Sequence, residues 1–276
     1  YQRGWIGYRS SKGWARSSAQ QQETRSLLAL NPWSLQKSSD DWPADFSYER
    51  ALLDHAKGNR ERAFEAFGHV MHLLEDANVP EHTRNDTHIG GHSTGSPYES
   101  TMAKWNPSNF DVAKKLFQQR KKPVLLDDLD KYFDAIAGYS NGYFFSEDTI
   151  NSKRYVAPRI VRVKKHDLGN NNSAFIGVGL DKNNQEFDLV FVGGTETKRN
   201  FIKSKEVTLF NKEIGTLILD GYWERLSKDF VLHGAGALKM MLDQAEEFKI
   251  EYETRQALKK ESKKSDTTYT GGMLKG

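Results

Sequence analysis

The pattern of apolar residues changes abruptly near residue 154, and this change constrains the fold more than any other feature of the chain. Upstream, residues 46–56 and 60–78 carry apolar side chains at three- and four-residue steps, which is typical of helices that bury one face. Downstream, short β-branched segments separated by Asn- and Gly-rich turns are typical of strands, and they lie at 154–165, 173–181, 186–194 and 206–210. Helical spacing returns at 220–248.

These patterns predict a mainly α fold with a small β-rich insertion. The helical domain is expected over residues 1–153 and 219–250, and the insertion over 154–218. The charged segment 251–276 is expected to be a disordered tail. Shorter helices are predicted near 19–30, 99–104, 109–120 and 125–138, with a loop at 83–98.

The clearest predicted helix, 60–78, ends at Pro80, because proline cannot continue a helix. Its apolar stripe is expected to pack the core and consists of Ala63, Phe64, Phe67, Val70, Met71 and Leu74.

Composition limits the kinds of site that the chain can build. The 276 residues suffice for one or two domains, and a net charge of +3 is too small to argue for nucleic acid. Because cysteine is absent, any metal must be held by His, Asp and Glu. No apolar run approaches the roughly 18 residues of a membrane helix. The chain begins at Tyr1 without a signal peptide, so we expect a processed form or a fragment.

Six of the eight histidines lie between positions 55 and 92. His72 and Asp76 are four residues apart on the predicted helix and therefore project from one face. After the break at Pro80, His82 is able to fold back beside them. The following loop adds further candidate ligands, namely His88, His92 and Glu99. Imidazoles and carboxylates without sulfur suit zinc, and also manganese or iron.

A single histidine in a helix usually has an ordinary core or surface role, and this role is favoured for His55, His69, His166 and His233. The group of His72, Asp76 and His82 is different. An imidazole and a carboxylate that face inward among Phe and Leu are costly to bury unless a partner compensates them. A metal ion is such a partner.

The spacing H-x3-D-x5-H, formed by His72, Asp76 and His82 and followed by Glu99, resembles the zinc-dependent phospholipase C and single-strand nuclease superfamily. The flanking sequence AFGHVMHLLEDANVPEHTRND resembles the bacterial phospholipase C-like branch, as do SPYE, SNGYFFSEDTI and YWERLSKDFVLHGAGAL. The resemblance covers about 1–150 and 219–248 and leaves the predicted insertion outside.

The resemblance implies a phospholipase C/nuclease-like helical domain that holds up to three zinc ions. By similarity, His72 binds the first zinc, Asp76 bridges two metals, and His82 and Glu99 hold another. The family usually has a histidine four residues before this glutamate, where the chain has Gly95; either His88 or His92 is able to take its place. The family's upstream ligands have no counterpart in residues 1–50, so we expect that N-terminal residues are missing and that the chain completes fewer metal sites.

The resulting hypothesis is metal-assisted phosphoester hydrolysis of the phospholipase C type, with a metal-activated water as nucleophile. Asp76, as bridging ligand, or a nearby carboxylate is expected to steer that water. Arg84 is expected to contact a phosphate oxygen or, alternatively, to pair with Asp86. The expected substrate is a phospholipid or another phosphodiester, with possible contact to a membrane surface; nucleic acid is less favoured. The resemblance favours a secreted, periplasmic or cell-surface location. The alternatives are a single-strand nuclease of the same superfamily and a non-catalytic, metal-stabilised scaffold or binding protein.

Overall fold

The computed structural model describes residues 11–16, 46–86, 96–104, 111–170, 172–194, 207–210, 212 and 214–270. Eight α-helices are described: α1 (Ser11–Arg16), α2 (Tyr48–Ala56), α3 (Arg60–Asp76), α4 (Pro80–Thr83), α5 (Pro97–Met102), α6 (Val112–Gln118), α7 (Leu129–Tyr143) and α8 (Leu217–Thr270). A short 3-10 helix spans Glu147–Thr149, and the strands are β1 (Ile160–Gly169), β2 (Asn172–Leu180) and β3 (Glu186–Gly194).

The fold class predicted from the sequence is wrong. The described residues are about 59% helical and include a three-stranded antiparallel sheet, so this is a mixed α/β protein in which helices dominate, and not a mainly α phospholipase C/nuclease-like domain with an appended insertion. The sheet order is β1-β2-β3. The physical reason for the correction is that the sheet shares its hydrophobic core with the helices.

Tyr222 of α8 shows how helix and sheet are joined. Its hydroxyl donates to the carbonyl oxygen of Leu189 at 2.8 Å and accepts from the backbone N–H of Phe145 at 3.1 Å. The Phe144 ring packs edge-on against the Tyr222 ring, with centroids 4.8 Å apart. Because Phe144, Leu189 and Tyr222 are all fully buried, the sheet completes this core and is not a satellite of it.

The predicted strands agree with the structure at three positions. The strands β1, β2 and β3 lie at or beside the segments predicted at 154–165, 173–181 and 186–194. The fourth, at 206–210, contributes a single antiparallel bridge between Thr208 and Phe191. The helix predicted near 19–30 lies outside the described residues.

Two further expectations differ from the structure. Residues 251–270, expected to be disordered, continue helix α8 to Thr270. Phe64, expected in the core, is 41% exposed, whereas Phe67, Val70 and Leu74 are buried as expected. Among the described residues, no helix combines the length and apolar character that a membrane crossing requires.

The chain divides into two compact units. One contains the described residues of Tyr1–Lys12 and His72–Gly236, and the other those of Gly13–Met71 and Ala237–Gly276. In the second unit, the Tyr48 hydroxyl donates to Gln244 at 2.8 Å. The domain boundaries predicted from the sequence stay a prediction. The candidate site lies within the first unit.

Candidate metal centre

The turn between α3 and α4 determines where the candidate ligands lie. Pro80 is the first residue of α4, where the missing N–H of proline costs nothing. Two polar side chains hold the turn: the Ser140 hydroxyl donates to the carbonyl oxygen of Ala77 at 2.7 Å, and the Asn78 amide donates to the carbonyl oxygen of Leu226 at 3.0 Å. Helices α7 and α8 therefore fix the angle at which the chain turns back after Asp76.

This turn brings four predicted site residues next to one another, in the order His72, Asp76, His82 and Glu99. The His72 Nε2 atom lies 3.8 Å from Asp76 Oδ2, and the His82 Nε2 atom lies 3.9 Å from Asp76 Oδ1. On its other side, His82 Nε2 lies 2.9 Å from Glu99 Oε1. The two carboxylate oxygens of Asp76 thus face two different imidazoles.

The exposure of these side chains differs from the expectation of a buried site. The His72 side chain is 68% exposed and that of Asp76 is 31% exposed, while that of His82 is 19% exposed. His72 therefore does not carry the burial cost on which the sequence argument relied. The group lies at the surface and is open to solvent on the His72 side.

Glu99 lies in the first turn of α5, where the helix N-terminus favours a carboxylate. Ser96 is the N-cap, and its hydroxyl accepts a hydrogen bond from the Glu99 N–H at 3.0 Å. Ser96 and Glu99 have the spacing of a capping box, in which the glutamate normally returns to the N-cap backbone. Here the Glu99 carboxylate lies within hydrogen-bond distance of the His82 ring, which places it among the candidate ligands.

The donor types suit zinc, and the pairwise distances lie on either side of the value expected for two ligands of one ion. Two ligand atoms at 2.0–2.1 Å from one tetrahedral zinc ion lie about 3.3 Å apart, a value between the 2.9 and 3.8–3.9 Å separations seen here. Within the described ranges, however, no three His, Asp or Glu side chains come together closely enough to hold one ion. The remaining predicted ligands, His88 and His92, and also Gly95, lie outside the described residues.

Arg84, predicted to contact phosphate, is instead a buried structural residue. It is 1% exposed, and its Nη2 atom donates to the carbonyl oxygens of Asn141 at 2.7 Å and Val156 at 2.8 Å. Burial lowers the pKa of its guanidinium. No ion pair joins Arg84 to Asp86 among the described residues; the Asp86 carboxylate accepts from the backbone N–H of Asp148 at 3.1 Å. Arg84 has no open surface from which to reach a substrate.

Sequence reasoning missed Glu81, which precedes His82. Glu81 is 1% exposed, and neither carboxylate oxygen has a hydrogen-bond partner of good geometry in the described part of the chain. Burial raises the pKa of Glu81 to about 7, and the charges of Glu99 and Asp86 add to this effect. The only sequence signal was a glutamate between Pro80 and His82 in a one-turn helix, a position that does not reveal burial.

The other histidines have ordinary packing environments. The His69 ring stacks on Phe46 with centroids 4.1 Å apart, and His55 lies 3.5 Å from Glu246. His233 Nδ1 lies 2.9 Å from the carbonyl oxygen of Asp229. His166 is half-buried on β1.

No protein-family model matches this chain, and searches of curated proteins and of solved structures gave no match.

Proposed function

We propose that this chain is a zinc-dependent phosphoester hydrolase with phospholipase C-like activity. The observation that carries the proposal is the position of Asp76, whose two oxygens face His72 at 3.8 Å and His82 at 3.9 Å. A carboxylate placed in this way is suited to bridge two metal ions, which is the role that the family resemblance implies for it. The substrate class, a phospholipid or another phosphodiester, comes from the resemblance.

The proposed ligands divide around Asp76. Since no three described side chains already lie close enough to hold one ion, zinc binding would have to draw them together. His72 and one Asp76 oxygen would then hold one ion, and His82, Glu99 and the other Asp76 oxygen a second, with His88 or His92 as a further ligand. Zinc bound there would supply Lewis acidity toward a phosphoryl oxygen and lower the pKa of water. The Glu99 carboxylate lies 2.9 Å from His82 Nε2, and this hydrogen bond would give way when that nitrogen binds zinc.

The proposal is tested by hydrolysis of p-nitrophenylphosphorylcholine, with bound zinc per chain measured on the same samples. We expect zinc-dependent hydrolysis by the wild-type chain, with Asp76→Asn lowering kcat/KM by at least about 100-fold. The matched control is His166→Ala, which removes a half-buried histidine from β1 and should leave both readouts unchanged.

The two readouts separate the alternatives. Zinc that depends on Asp76 without hydrolysis of any phosphodiester would favour the non-catalytic, metal-stabilised scaffold. Hydrolysis of single-stranded DNA but not of the choline ester would favour the nuclease. Hydrolysis that is the same in Asp76→Asn and wild type would overturn the proposal.

A further inference from the structure

The segment 153–165, which leads into and includes most of β1, carries an unusual charge distribution. It contains six Lys and Arg residues and no Asp or Glu, although the whole chain has a net charge of only +3. Its exposed aliphatic side chains are equally unusual: Val156 is 82% exposed, Val163 49% and Ile160 41%. We call this segment the basic strip.

The two faces of β1 differ in whether their cations form ion pairs. On one face, Arg162 pairs with Glu186 at 2.5 Å and Lys164 with Asp188 at 2.6 Å. These pairs cross the central strand to acids on β3, so that face is neutralised. The remaining cations of the strip make no ion pair with any described residue, and they are Lys153, Arg154, Arg159 and Lys165.

Two of the exposed aliphatic residues, Ile160 and Val163, lie on the other face of β1, and Val156 precedes the strand. Residues two apart in a strand share a face, so Val163 and Lys165 point the same way. A register shift between Ile160 and Arg162 turns Ile160 onto that face as well, because Ile160 pairs with Gly179 and Val163 with Gly177. The charge of Lys165 and the exposed side chains of Val163 and Ile160 therefore share this face, while Lys153, Arg154 and Arg159 precede the strand. The next residue on this face, Asp167, is an acid whose carboxylate accepts from the Gly169 N–H.

Arg84 connects the basic strip to the candidate site. Its Nη2 atom donates to the Val156 carbonyl oxygen at 2.8 Å, and its guanidinium lies 5.6 Å from the centroid of the Tyr155 ring. Since Arg84 is two residues from His82, the strip is anchored to the turn that carries the candidate ligands. The aromatic ring of the strip is thereby engaged with arginine and does not stand free to stack on a base.

We propose that the basic strip docks the protein onto an anionic lipid surface. Lysine and arginine near such a surface are each attracted to the charged headgroups, and aliphatic side chains between them gain by entering the interfacial region. Single-stranded nucleic acid would need exposed aromatic side chains beside the cations, and the strip does not offer them. Cations on an edge strand also prevent edge-to-edge aggregation, a function that needs neither the aliphatic residues nor a lipid.

The test is cosedimentation with vesicles of phosphatidylcholine containing phosphatidylserine, with vesicles of phosphatidylcholine alone and with a single-stranded oligonucleotide as further arms. The double variant Arg159→Gln/Lys165→Gln should bind the anionic vesicles roughly 30-fold less tightly than wild type. The matched control, Lys259→Gln/Lys260→Gln, changes the net charge equally at exposed positions of α8 and should bind like wild type. Val156→Ser/Val163→Ser should lose several-fold without a change in charge.

Thermal unfolding of each variant confirms that the changes are confined to the surface. Binding of wild type to anionic but not neutral vesicles, with loss only in the strip variants, supports the proposal. Three results would overturn it: no vesicle binding by wild type, equal loss in the α8 control, or strip-dependent binding to the oligonucleotide without binding to vesicles. Because no arm measures hydrolysis, the result is independent of the proposed catalytic function.

Discussion

Residues 72–86 have two sides whose side chains differ in burial and in partners. On the inner side, Asn78, Thr83 and Arg84 are buried and hydrogen-bonded, while Glu81 is buried without a partner of good geometry. On the outer side, His72, Asp76 and His82 are partly exposed and face one another at 3.8–3.9 Å. Residues 72–86 therefore contain both the buried side chains that fix the turn and the partly exposed side chains that form the candidate metal site. Replacing members of each side should affect stability and metal binding differently.

The largest expected effect is loss of stability in Arg84→Ala. This change removes a buried guanidinium and its hydrogen bonds to the carbonyl oxygens of Asn141 and Val156, and we expect the free energy of unfolding to fall by roughly 3–5 kcal/mol. Urea unfolding measures it. The matched control is Arg255→Ala, whose 74% exposed side chain pairs with Glu251 on the surface and should cost less than about 1 kcal/mol. If Arg84→Ala kept its full stability but lost zinc binding, Arg84 would belong to the metal site and not to the buried residues that fix the turn.

The second effect is pH dependence from Glu81. Its pKa is about 7 in the folded chain against 4.5 for the ordinary group, so between these values the folded state binds more protons than the unfolded state. Stability should therefore fall as pH rises through this window, by roughly 3 kcal/mol in total. In chelator, Glu81→Gln should show a smaller fall in the free energy of unfolding than wild type between about pH 5 and about pH 8.

Glu251→Gln, at a 65% exposed position, is the control for this experiment and should keep the wild-type slope. Identical slopes in Glu81→Gln and wild type would show that burial does not hold Glu81 in its neutral form.

A smaller effect is expected at Ser140, which reaches the turn from α7. Removing a buried hydroxyl that satisfies the Ala77 carbonyl costs about 1–3 kcal/mol, and the turn should then hold Asp76 and His82 less firmly. Ser140→Ala should therefore lose both stability and zinc affinity. Ser227→Ala removes another buried serine hydroxyl, which donates to the Trp223 carbonyl oxygen within α8, and it should leave zinc affinity unchanged. Equal zinc affinity in both variants would show that the Ser140 hydrogen bond to the turn does not affect metal binding.

The smallest stability effect is expected at His72. Since its side chain is 68% exposed, His72→Ala should change the free energy of unfolding in chelator by no more than about 0.5 kcal/mol. Its zinc affinity should nevertheless fall at least about 10-fold, because an imidazole ligand is lost. A large loss of stability without metal would place His72 among the structural residues.

Local patterns predicted the elements well where burial follows the period of the chain. The spacing of Phe67, Val70 and Leu74 indicated α3, and Pro80 indicated its end. The helix at 251–270 was missed because its sequence is charged and lacks an apolar stripe, although pairs such as Glu251 and Arg255 at i and i+4 support it.

Associations between distant segments were not visible in the sequence. The fold class was wrong because Tyr222 joins Leu189 and Phe145, residues 33 and 77 positions away, into one core. For the same reason the contacts of Arg84 were not foreseen: its partners are backbone carbonyls at 141 and 156, which no local motif identifies. The approach of His72, Asp76 and His82 was foreseeable, because helical spacing and a single proline break largely determine it.

The central claim, a metal centre built around Asp76, is tested most directly by anomalous diffraction at the zinc edge from crystals of this chain grown with zinc. The account predicts an anomalous peak within about 2.0–2.2 Å of an Asp76 carboxylate oxygen and of His72 Nε2 or His82 Nε2. A well-ordered Asp76 with no anomalous peak beside it, while zinc occupies another part of the protein, would contradict the claim.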